Sequence, residues 1–559
     1  MEECKIPVLT LTCSRMSELL KKKINSDELE KIVPWLGVDI EEKTENYVKI
    51  EYNPNRPDFS SQEGIARALR GLLEIETGLP IYKVSEGKIT VKVDPSVAEV
   101  RPYIVCAVVR NVSLDDENIV ELVGMQEDLH WAIGRNRVKA SIGIHDLDNV
   151  KPPFEYWAVE PEGIKFIPLN WSVEATPQEI LAKHPKGIAY AHIMEGKSKY
   201  PIITDANNDV LSFPPIINGI LTQLTEKTKN LFIEVTGITM NHATSALNIL
   251  VTALAEGGAK IESVKVEYPD KVIRTPDLTP QTWLIRAEYV NRLLGLNLSI
   301  EEIIKCLQKV RMDARLENDK IKLLVPAYRC DIMHEVDFVE EVAIGYGVYN
   351  LTPTLPKTVT IAKAHPHQRL SDFVRRIMTG LGFNEVVNFT LTNAREHYEY
   401  MRTKGIPIEL LNPVSSEYNM VRDALLPGLI RTLRINKHET FPQKIFEVGD
   451  VIVYDPGSET QSTRKLNVAA ALTDTVVGFT DVKAVAESLI RELGCKQWKF
   501  HPTSFPSFLE GRAAQVEADG KMIGYVGELH PEVLNNFNLE FPVGAFEYCL
   551  EPFLERIKN

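Results

Sequence analysis

Apolar and polar residues alternate along residues 1–85 with the spacing of short helices and strands. Val8–Leu11 predicts a strand, and the apolar stripe that follows Ser26 predicts a helix capped by that serine. Two prolines and two asparagines in Asn53–Asp58 predict a rigid turn. Ser60 or Ser61 then caps a second amphipathic helix. These elements predict a small α/β domain at residues 1–85.

Residues 90–270 carry mixed strand and helix patterns. The apolar run Ile104–Val109 predicts a buried strand, and Asn118–Ile133 predicts a helix that Gly134 ends. Basic residues then lead into a strand of small residues with a His145-Asp146 pair. This stretch could line a pocket for an anionic substrate, or it could be an exposed edge with a structural histidine.

In residues 271–351 the pattern of apolar residues predicts two helices, a hairpin and a third helix, in that order. Arg286–Leu294 is the first helix, Ser299–Glu302 is a capping box for the second, and the hairpin ends at Val325. We expect Asp337 to open the last helix, and Gly345 with Gly347 to end it. This order is winged-helix-like, although such a fold does not by itself fix a function.

A linker rich in proline and lysine leads into a last domain at residues 360–559. Its first elements are an amphipathic helix, Leu370–Leu381, and a predicted strand, Glu385–Leu391. The apolar face of that helix is broad enough for a dimerisation surface. The whole chain is therefore expected to be an α+β multidomain protein.

Length and composition agree with several soluble globular domains. The chain has 559 residues, of which 44% are hydrophobic and 25% charged, and no apolar run reaches the ~18 residues that would span a membrane. Met1–Lys5 has the wrong charge for a signal peptide, and the seven scattered cysteines form no Cys-x-x-Cys pair. We expect a cytoplasmic protein. Because the net charge is −14, nucleic acid would have to meet local basic patches.

Four carboxylates cluster around the start of the last predicted helix of residues 271–351. Asp337, Glu340 and Glu341 share a helical face, and Asp331 lies on the turn before it. Oxygen-only side chains without histidine or cysteine pairs suit a hard cation, Mg²⁺ before Ca²⁺. Spacing alone favours a different interpretation, a solvated acidic helix start that Arg329 neutralises.

The wider motif carries a resemblance. Pro326-x-x-Arg329-x-Asp331-Ile332, followed by Asp337-x-x-Glu340-Glu341-Val342-Ala343 and Tyr346-Gly347, resembles the metal-binding motif of the phenylalanyl-tRNA synthetase beta subunit family. The resemblance implies that Asp331, Asp337, Glu340 and Glu341 hold a Mg²⁺ shared with the alpha subunit. Ile344 departs from the arginine of many relatives, which should affect packing and not the ion.

Further motifs occur in the order of that family. Pro54-Asn55-Arg56-x-Asp58 with Gly64–Arg67 resembles its N-terminal signature, and no oligonucleotide-fold insert follows, as in the shorter archaeal and eukaryotic type. Residues 360–559 resemble its class II synthetase-like module, an antiparallel sheet with flanking helices. The closing segment Pro542–Tyr548 lacks the glycine–arginine run that would grip ATP phosphates.

The resemblance therefore implies that ATP and phenylalanine bind an alpha subunit. It also implies a heterotetramer of two alpha and two beta subunits that acts on tRNA-Phe.

Residues 90–270 resemble the editing domain of the family, which hydrolyses tyrosine wrongly attached to the phenylalanine tRNA. The resemblance implies that Glu234 accepts the phenolic hydroxyl and that Ser212, Asn218 and Thr236 line the pocket. Aspartate is common at the position of Glu234. A buried polar group that phenylalanine leaves unpaired costs about 1–3 kcal/mol, which is enough for discrimination.

Two other classes of function stay open at this stage. One is a nucleic-acid-binding module that uses the winged-helix-like domain without a synthetase partner, which a basic recognition helix would favour. The other is a free-standing aminoacyl-ester hydrolase built on residues 90–270, although no Ser-His-Asp or Cys-His constellation can be identified there. The leading interpretation is the beta subunit that serves as scaffold, editor and half of a shared Mg²⁺ site.

Overall fold

The computed structural model describes residues 7–557, and the side chain of Ile557 is left out. The N-terminal segment Met1–Lys5, with Cys4, lies outside the described residues. The six cysteines within them are free thiols. The chain divides into two compact units, Met1–Leu355 and Pro356–Asn559. Between residues 7 and 557, no helix is long and apolar enough to cross a membrane.

The first unit begins with a three-stranded antiparallel sheet in the order β1-β3-β2 and three helices. Ser61 caps α3, as predicted, through the Gly64 N–H. The predicted cap Ser26 is wrong by one residue, because the Asn25 side chain accepts the Glu28 N–H and leaves Ser26 inside α2. The elements are β1 (Val8–Thr12), α1 (Cys13–Leu20), α2 (Ser26–Ile32), β2 (Asp39–Lys43), β3 (Tyr47–Glu51) and α3 (Gln62–Leu72).

An eleven-stranded sheet forms the centre of the first unit. Its main order is β11-β10-β9-β8-β5-β13-β6-β12-β7, and both β4 and β14 pair with β13. The strands are β4 (Val84–Ser85), β5 (Thr90–Val93), β6 (Tyr103–Arg110), β7 (Ala140–Asp146), β8 (Phe154–Val159), β9 (Tyr200–Thr204), β10 (Val210–Phe213), β11 (Ile217–Asn218), β12 (Asn230–Gly237), β13 (Lys260–Glu267) and β14 (Val272–Thr275). Its helices are α4 (Asp116–Ala132), α5 (Pro177–Lys183), α6 (Pro185–Tyr190) and α7 (Met240–Glu256). The predicted strand at 104–109 and helix at 118–133 are confirmed as β6 and α4.

The first unit ends with the predicted order of two helices, a hairpin and a third helix. A strand that was not predicted, β15, completes a sheet in the order β15-β17-β16. The elements are β15 (Gln281–Ile285), α8 (Ala287–Leu294), α9 (Ile300–Lys309), β16 (Asp313–Glu317), β17 (Lys320–Val325) and α10 (Glu335–Tyr346). The capping box at Ser299 is confirmed.

Gly345 was expected to end α10, but it lies within the helix. A Cβ at Gly345 would stand 2.1 Å from the carbonyl oxygen of Cys306, so this glycine lets α10 approach α9 closely. Gly347, with a φ of 93°, ends the helix instead.

A buried cluster of charged and aromatic side chains joins these parts of the first unit. The Arg67 guanidinium lies over the Tyr328 ring at 3.5 Å and donates to Tyr82 Oη at 3.1 Å. Tyr82 donates in turn to Glu256, which also pairs with Arg70. Arg67 is 1% exposed, so these neighbours, and not water, must stabilise its positive charge.

The second unit is built on a seven-stranded sheet in the order β18-β22-β23-β27-β26-β25-β24. Only the edge pair β18–β22 is parallel among its described pairs. A small sheet, β19-β21-β20, lies apart from it in the topology. The strands are β18 (Asn384–Glu385), β19 (Leu391–Thr392), β20 (Ile408–Glu409), β21 (Met420–Val421), β22 (Gln443–Tyr454), β23 (Ser462–Thr473), β24 (Trp498–Pro502), β25 (Phe508–Ala518), β26 (Lys521–Leu529) and β27 (Val543–Cys549). The helices are α11 (Pro366–Gly380), α12 (Leu426–Ile435), α13 (Phe479–Glu492) and α14 (Pro531–Asn536).

Two expectations for this unit change. The predicted strand Glu385–Leu391 is wrong as one continuous strand, because Asn388 turns its side chain to Glu447 and Thr432 and leaves the sheet. The apolar face of α11, which we expected to be a dimerisation surface, packs instead into the core of its own unit through Leu370, Val374 and Met378.

The N-terminus of α12 is closed by a carboxyl group from the last strand. Glu547 accepts the backbone N–H groups of Leu425 and Leu426 at 3.0–3.1 Å, and the Asn467 side chain donates to it at 2.7 Å. Burial raises the pKa of Glu547, while these donors lower it.

We expect Arg67→Ala to lower the free energy of unfolding by about 3–5 kcal/mol, because it removes a buried cation that lies 3.7 Å from the buried carboxylate of Asp58 and donates to Tyr82. Arg274→Ala is the matched control: Arg274 pairs with Glu86 at 2.7 Å, but the two side chains are 48% and 76% exposed. Its loss should cost about 0–1 kcal/mol. Urea unfolding of the purified chain measures both, and equal midpoints for the two variants would contradict the importance of the buried cluster.

Candidate functional sites

The acidic helix α10 begins two residues before the predicted Asp337. His334 is its N-cap, and His334 Nδ1 accepts the Val336 N–H at 3.2 Å. Asp337 Oδ2 accepts the N–H groups of Met333 and His334, both at 2.7 Å. One oxygen of Asp337 is thus occupied in holding the start of the helix.

A second predicted metal ligand is bound by a buried arginine. Arg329 donates to both oxygens of Asp331, at 2.8 and 2.6 Å, and also to Glu341 Oε1. Burial opposes the positive charge, but Glu341 and Asp331 more than compensate and raise the pKa of Arg329. Asp331 therefore acts as a counter-ion of Arg329 in this structure.

The Asn53–Asp58 turn contacts the same site. Arg56 donates to both oxygens of Asp58, at 2.9 and 3.0 Å, and its other nitrogen lies 3.9 Å from Glu341 Oε1. Burial alone would raise the pKa of Asp58, but Arg56, and after it Arg329 and Arg67, lower it. Two motifs far apart in the sequence thus form one charged cluster, which spacing along the chain could not reveal.

A cavity of about 330 Å³ lies against this cluster. Three of the four predicted ligands line it, namely Asp331, Glu340 and Glu341, together with Arg56 and the rings of Trp35, Phe59 and Tyr349. Glu340 is exposed, and Glu341 Oε2 is buried without a hydrogen-bond partner among residues 7–557.

No three His, Cys, Asp or Glu side chains of the described chain stand together as a ready-made metal site. Mg²⁺ commonly uses one or two carboxylates and keeps several waters. Glu340 and Glu341 therefore fit this ion in kind, whereas Asp331 and Asp337 are engaged elsewhere.

The predicted editing residues lie on the large sheet. Along β12, Leu231, Ile233 and Val235 enter the core beneath α7, so Glu234 and Thr236 point to the opposite face. Ser212 Oγ donates to Glu234 Oε1 at 3.1 Å, and Ser212 pairs with Asn218 in the β10–β11 hairpin. Glu234 is 2% exposed, so its carboxyl group lies within the protein.

Thr236 and Asn218 make other contacts. Arg101 Nε donates to Thr236 Oγ1 at 2.9 Å, and Asn218 Nδ2 lies 3.5 Å from the Ile144 carbonyl oxygen. Burial lowers the pKa of Arg101 to about 10. The structure therefore brings Ser212 and Glu234 into direct contact. Thr236 lies on the same face of β12 and binds Arg101, a residue that the sequence analysis missed.

The basic segment before β7 does not form a free anion site at Arg137. This side chain is 7% exposed and donates to the carbonyl oxygens of Pro215 and Ile216 and to Glu127. His145 is fully buried, and Asp146 accepts the Thr228 hydroxyl at 2.6 Å. These contacts engage both terminal nitrogens of Arg137, and the alternative of an exposed edge is also wrong, because every residue of β7 is buried.

Comparison with known proteins places this arrangement in a family. The family description "tRNA synthetase B5 domain" matches residues 284–348, and "Phenylalanyl tRNA synthetase beta chain CLM domain" matches residues 351–550. The phenylalanine--tRNA ligase beta subunit of Archaeoglobus fulgidus is 44% identical over 554 residues, which are 98% of this chain and 99% of that protein. The chain belongs to the phenylalanine--tRNA ligase beta subunit family.

Other relatives agree with this assignment. The beta subunit of Methanocaldococcus jannaschii is 43% identical and covers 98% of this chain and 100% of its own length. A crystal structure of an N-terminal fragment of the Pyrococcus horikoshii beta subunit is 40% identical, has a TM-score of 0.59, and covers 61% of this chain and 99% of that fragment. These relatives are archaeal, in agreement with the archaeal and eukaryotic type that the resemblance implied. The chain is thus a component of an aminoacyl-tRNA ligase, which acts in protein biosynthesis.

Proposed function

We propose that this chain is the non-adenylating half of a phenylalanine--tRNA ligase. It would assemble with an alpha subunit as a heterotetramer of two alpha and two beta subunits, with ATP and phenylalanine bound on the alpha subunit and tRNA-Phe shared. The observation that carries this proposal is identity of 44% along 98% of the chain to proteins named as beta subunits. We assign the function to the cytoplasm, where translation takes place.

Exposed apolar side chains of the second unit support a partner. Val387 and Phe389, before β19, are 85% and 75% exposed. Leu411 and Val414, between β20 and β21, are almost completely and completely exposed. Large apolar groups left in water near one small sheet are typical of a surface that another chain covers.

We expect the purified chain alone to form no phenylalanyl-tRNA. After it is mixed with its alpha subunit, we expect phenylalanyl-tRNA to form. Phe389→Asp should weaken that complex at least about tenfold, because a charge replaces an aromatic contact. Val476→Asp is the control, since Val476 is also strongly exposed, at 87%, elsewhere in the same unit. Size-exclusion chromatography and a charging assay measure both effects. Charging by the chain alone would overturn the proposal.

The second part of the proposal is hydrolytic editing of tyrosyl-tRNA-Phe. Water would attack the ester carbonyl, and breaking of the acyl C–O bond would release tyrosine and the tRNA hydroxyl. Glu234 supports this role because it is a buried carboxyl group with one oxygen, Oε2, that lacks a partner within the described residues. Ser212 fixes the other oxygen by a hydrogen bond.

We expect Glu234→Ala to leave phenylalanine charging nearly intact and to slow hydrolysis of tyrosyl-tRNA-Phe by one to two decades. This corresponds to about 1.5–3 kcal/mol for a lost charged hydrogen bond. Glu155→Ala is the control, because Glu155 is an exposed residue of β8 in the same sheet. Deacylation of preformed tyrosyl-tRNA by the reconstituted complex is the measurement. Wild-type hydrolysis by Glu234→Ala would show that the pocket lies elsewhere.

The third part is a Mg²⁺ site at the boundary with the alpha subunit. All four carboxylates, Asp331, Asp337, Glu340 and Glu341, are proposed to serve it, but in two ways. Glu340 and the unpartnered oxygen of Glu341 would contact the ion or its waters. Asp331 would position Glu341 through Arg329, and Asp337 would fix the start of α10. The ion would add a positive charge that neutralises this cluster when bound.

We expect Mg²⁺ to raise the melting temperature of the complex, and Glu340→Gln to reduce that rise. Asp337→Ala should lower the melting temperature with or without Mg²⁺, because it removes the carboxylate half of the capping box at the start of α10, where a capping side chain typically contributes about 0.5–2 kcal/mol. Calorimetry of the complex with added Mg²⁺ or EDTA measures both.

Glu301→Gln, on the first turn of α9, is a suitable control because it is exposed. Glu335 is unsuitable, since it accepts three hydrogen bonds from Arg286. A Mg²⁺ effect that disappears in Asp337→Ala and persists in Glu340→Gln would contradict the division of roles.

A further inference from the structure

Aromatic rings as well as carboxylates line the cavity of about 330 Å³ beside α10. Trp35 comes from the 3₁₀ turn that follows α2, and Tyr349 comes from the 3₁₀ turn that follows α10. Their ring centroids lie 5.1 Å apart, and Tyr349 is 65% exposed. Phe59 adds a third ring, which is buried. Rings beside carboxylates favour a cation with a delocalised or apolar body over a small hydrated ion.

The charged cluster next to the cavity already uses one kind of cation. The Arg56 guanidinium lies over the Phe59 ring, 3.8 Å from its centroid, and donates to both oxygens of Asp58. Arg329 donates in the same way to both oxygens of Asp331. The cluster is thus built by alternating planar guanidinium groups with carboxylates, a pairing that depends on the fixed fork of the guanidinium.

This alternation lacks one positive charge. Glu341 lines the cavity, its side chain is 6% exposed, and its Oε2 has no hydrogen-bond partner within residues 7–557. A buried carboxylate oxygen without a donor is costly, so it indicates a donor that another molecule supplies. The carboxylates that line the cavity or bind the guanidinium groups outnumber those groups by four to three, namely Asp58, Asp331, Glu340 and Glu341 against Arg56, Arg67 and Arg329.

We propose that this cavity binds an alkylguanidinium cation, the end group of an arginine side chain. Its fork binds the exposed carboxylate of Glu340, a further N–H donates to Glu341 Oε2, and its face stacks on the ring of Tyr349. A single positive charge brings the cluster to neutrality. This inference goes beyond the proposed function and does not rest on it, because Mg²⁺ at Glu340 and Glu341 is a competing occupant.

The first test concerns the chemistry of the ligand. The full chain, kept free of Mg²⁺ with EDTA, is titrated with N-acetylarginine methylamide in ligand-observed NMR. N-acetylcitrulline methylamide is the matched probe, because it has nearly the same shape and no charge. We expect the arginine probe to bind at least about tenfold more tightly than the citrulline probe and than N-acetyllysine methylamide. No binding of the arginine probe, or equal affinity for either of the others, overturns the proposal.

The second test fills the cavity from within. Ile344 lines it and follows Glu340 and Glu341 by four and three residues, so an arginine at this position reaches both carboxylates. Ile344→Arg should therefore weaken the arginine probe at least about tenfold. Ile344→Met, similar in length and uncharged, is the control and should bind within about threefold of the wild type. Unchanged affinity in Ile344→Arg overturns the proposal.

A third variant covers the case in which Ile344→Arg does not fold. Tyr349→Ala removes an exposed ring, and so leaves the core in place. It should weaken the arginine probe about three- to tenfold and leave the citrulline probe much less affected, because the ring contributes a cation–π contact. The melting temperature of each variant reports whether the chain is folded. An equal loss for the two probes overturns the role of the charge.

The guanidinium group has two possible sources, a free small molecule and an arginine of a partner chain. Titration of the complex with the alpha subunit distinguishes them. Unchanged probe binding assigns a free small molecule. Loss of probe binding, with an Ile344→Arg complex at least about tenfold weaker, assigns an arginine of the alpha subunit. Loss of probe binding with an Ile344→Arg complex of wild-type affinity shows that the partner only covers the cavity, which overturns the proposal for the complex.

The outcomes also separate this inference from the Mg²⁺ proposal. If the arginine probe binds and Mg²⁺ has no effect on the melting temperature of the complex, the Mg²⁺ site fails and the guanidinium site stands. If Mg²⁺ raises the melting temperature and the free chain does not bind the arginine probe, the guanidinium site fails alone. If both bind, added Mg²⁺ should weaken the probe, because both need Glu340; independent binding of the two overturns the assigned contact with Glu340.

Discussion

The buried guanidinium groups of Arg67 and Arg329 hold the first unit together. Arg67 reaches Tyr82, Thr252 and Tyr328, and Arg329 binds Asp331 and Glu341. A buried cation is tolerated only when its donors and its charge are satisfied. The N-terminal helices, the helix beneath the large sheet and the acidic helix must therefore take their positions together. The same constraint decides which carboxylates of the acidic motif are counter-ions and which are available to a ligand.

Local signals predicted the elements of the fold well. The capping box at Ser299, the cap at Ser61 and the apolar run at 104–109 all depend on residues a few positions apart, and each appears as expected. The order of the large sheet could not be predicted, because β13 pairs with β4, β5 and β6, which come from a distant part of the chain. The predicted strand Glu385–Leu391 was wrong for a similar reason, since Asn388 within it binds Glu447, which lies on a strand that comes later in the chain.

The candidate sites show the same contrast between local signals, which could be predicted, and long-range contacts, which could not. The acidic positions and Glu234 were identified from the motifs, and Arg329 was already considered as a neutralising residue. The contact of Arg56 was not predicted, because Arg56 and Arg329 converge on Glu341 only in three dimensions. His145 was singled out as one half of a His-Asp pair, but not as a neighbour of Glu234. Ser141, Gly143 and His145 alternate along one strand, which predicts one shared face. What the sequence could not tell is that this face lies against Glu234 of the neighbouring strand.

The carboxyl group of Glu547 has a consequence for nucleotide chemistry. A helix N-terminus with free N–H groups is a ready binding place for phosphate, and many ATP sites use one. At α12 those N–H groups already have an acceptor within the same chain, supplied by the last strand. The Glu547 carboxylate thus occupies the position at this helix where a bound anion would accept hydrogen bonds. A nucleotide phosphate could bind there only after displacing a side chain that is anchored in the core, so loss of this one carboxylate would be a first step toward creating a phosphate site.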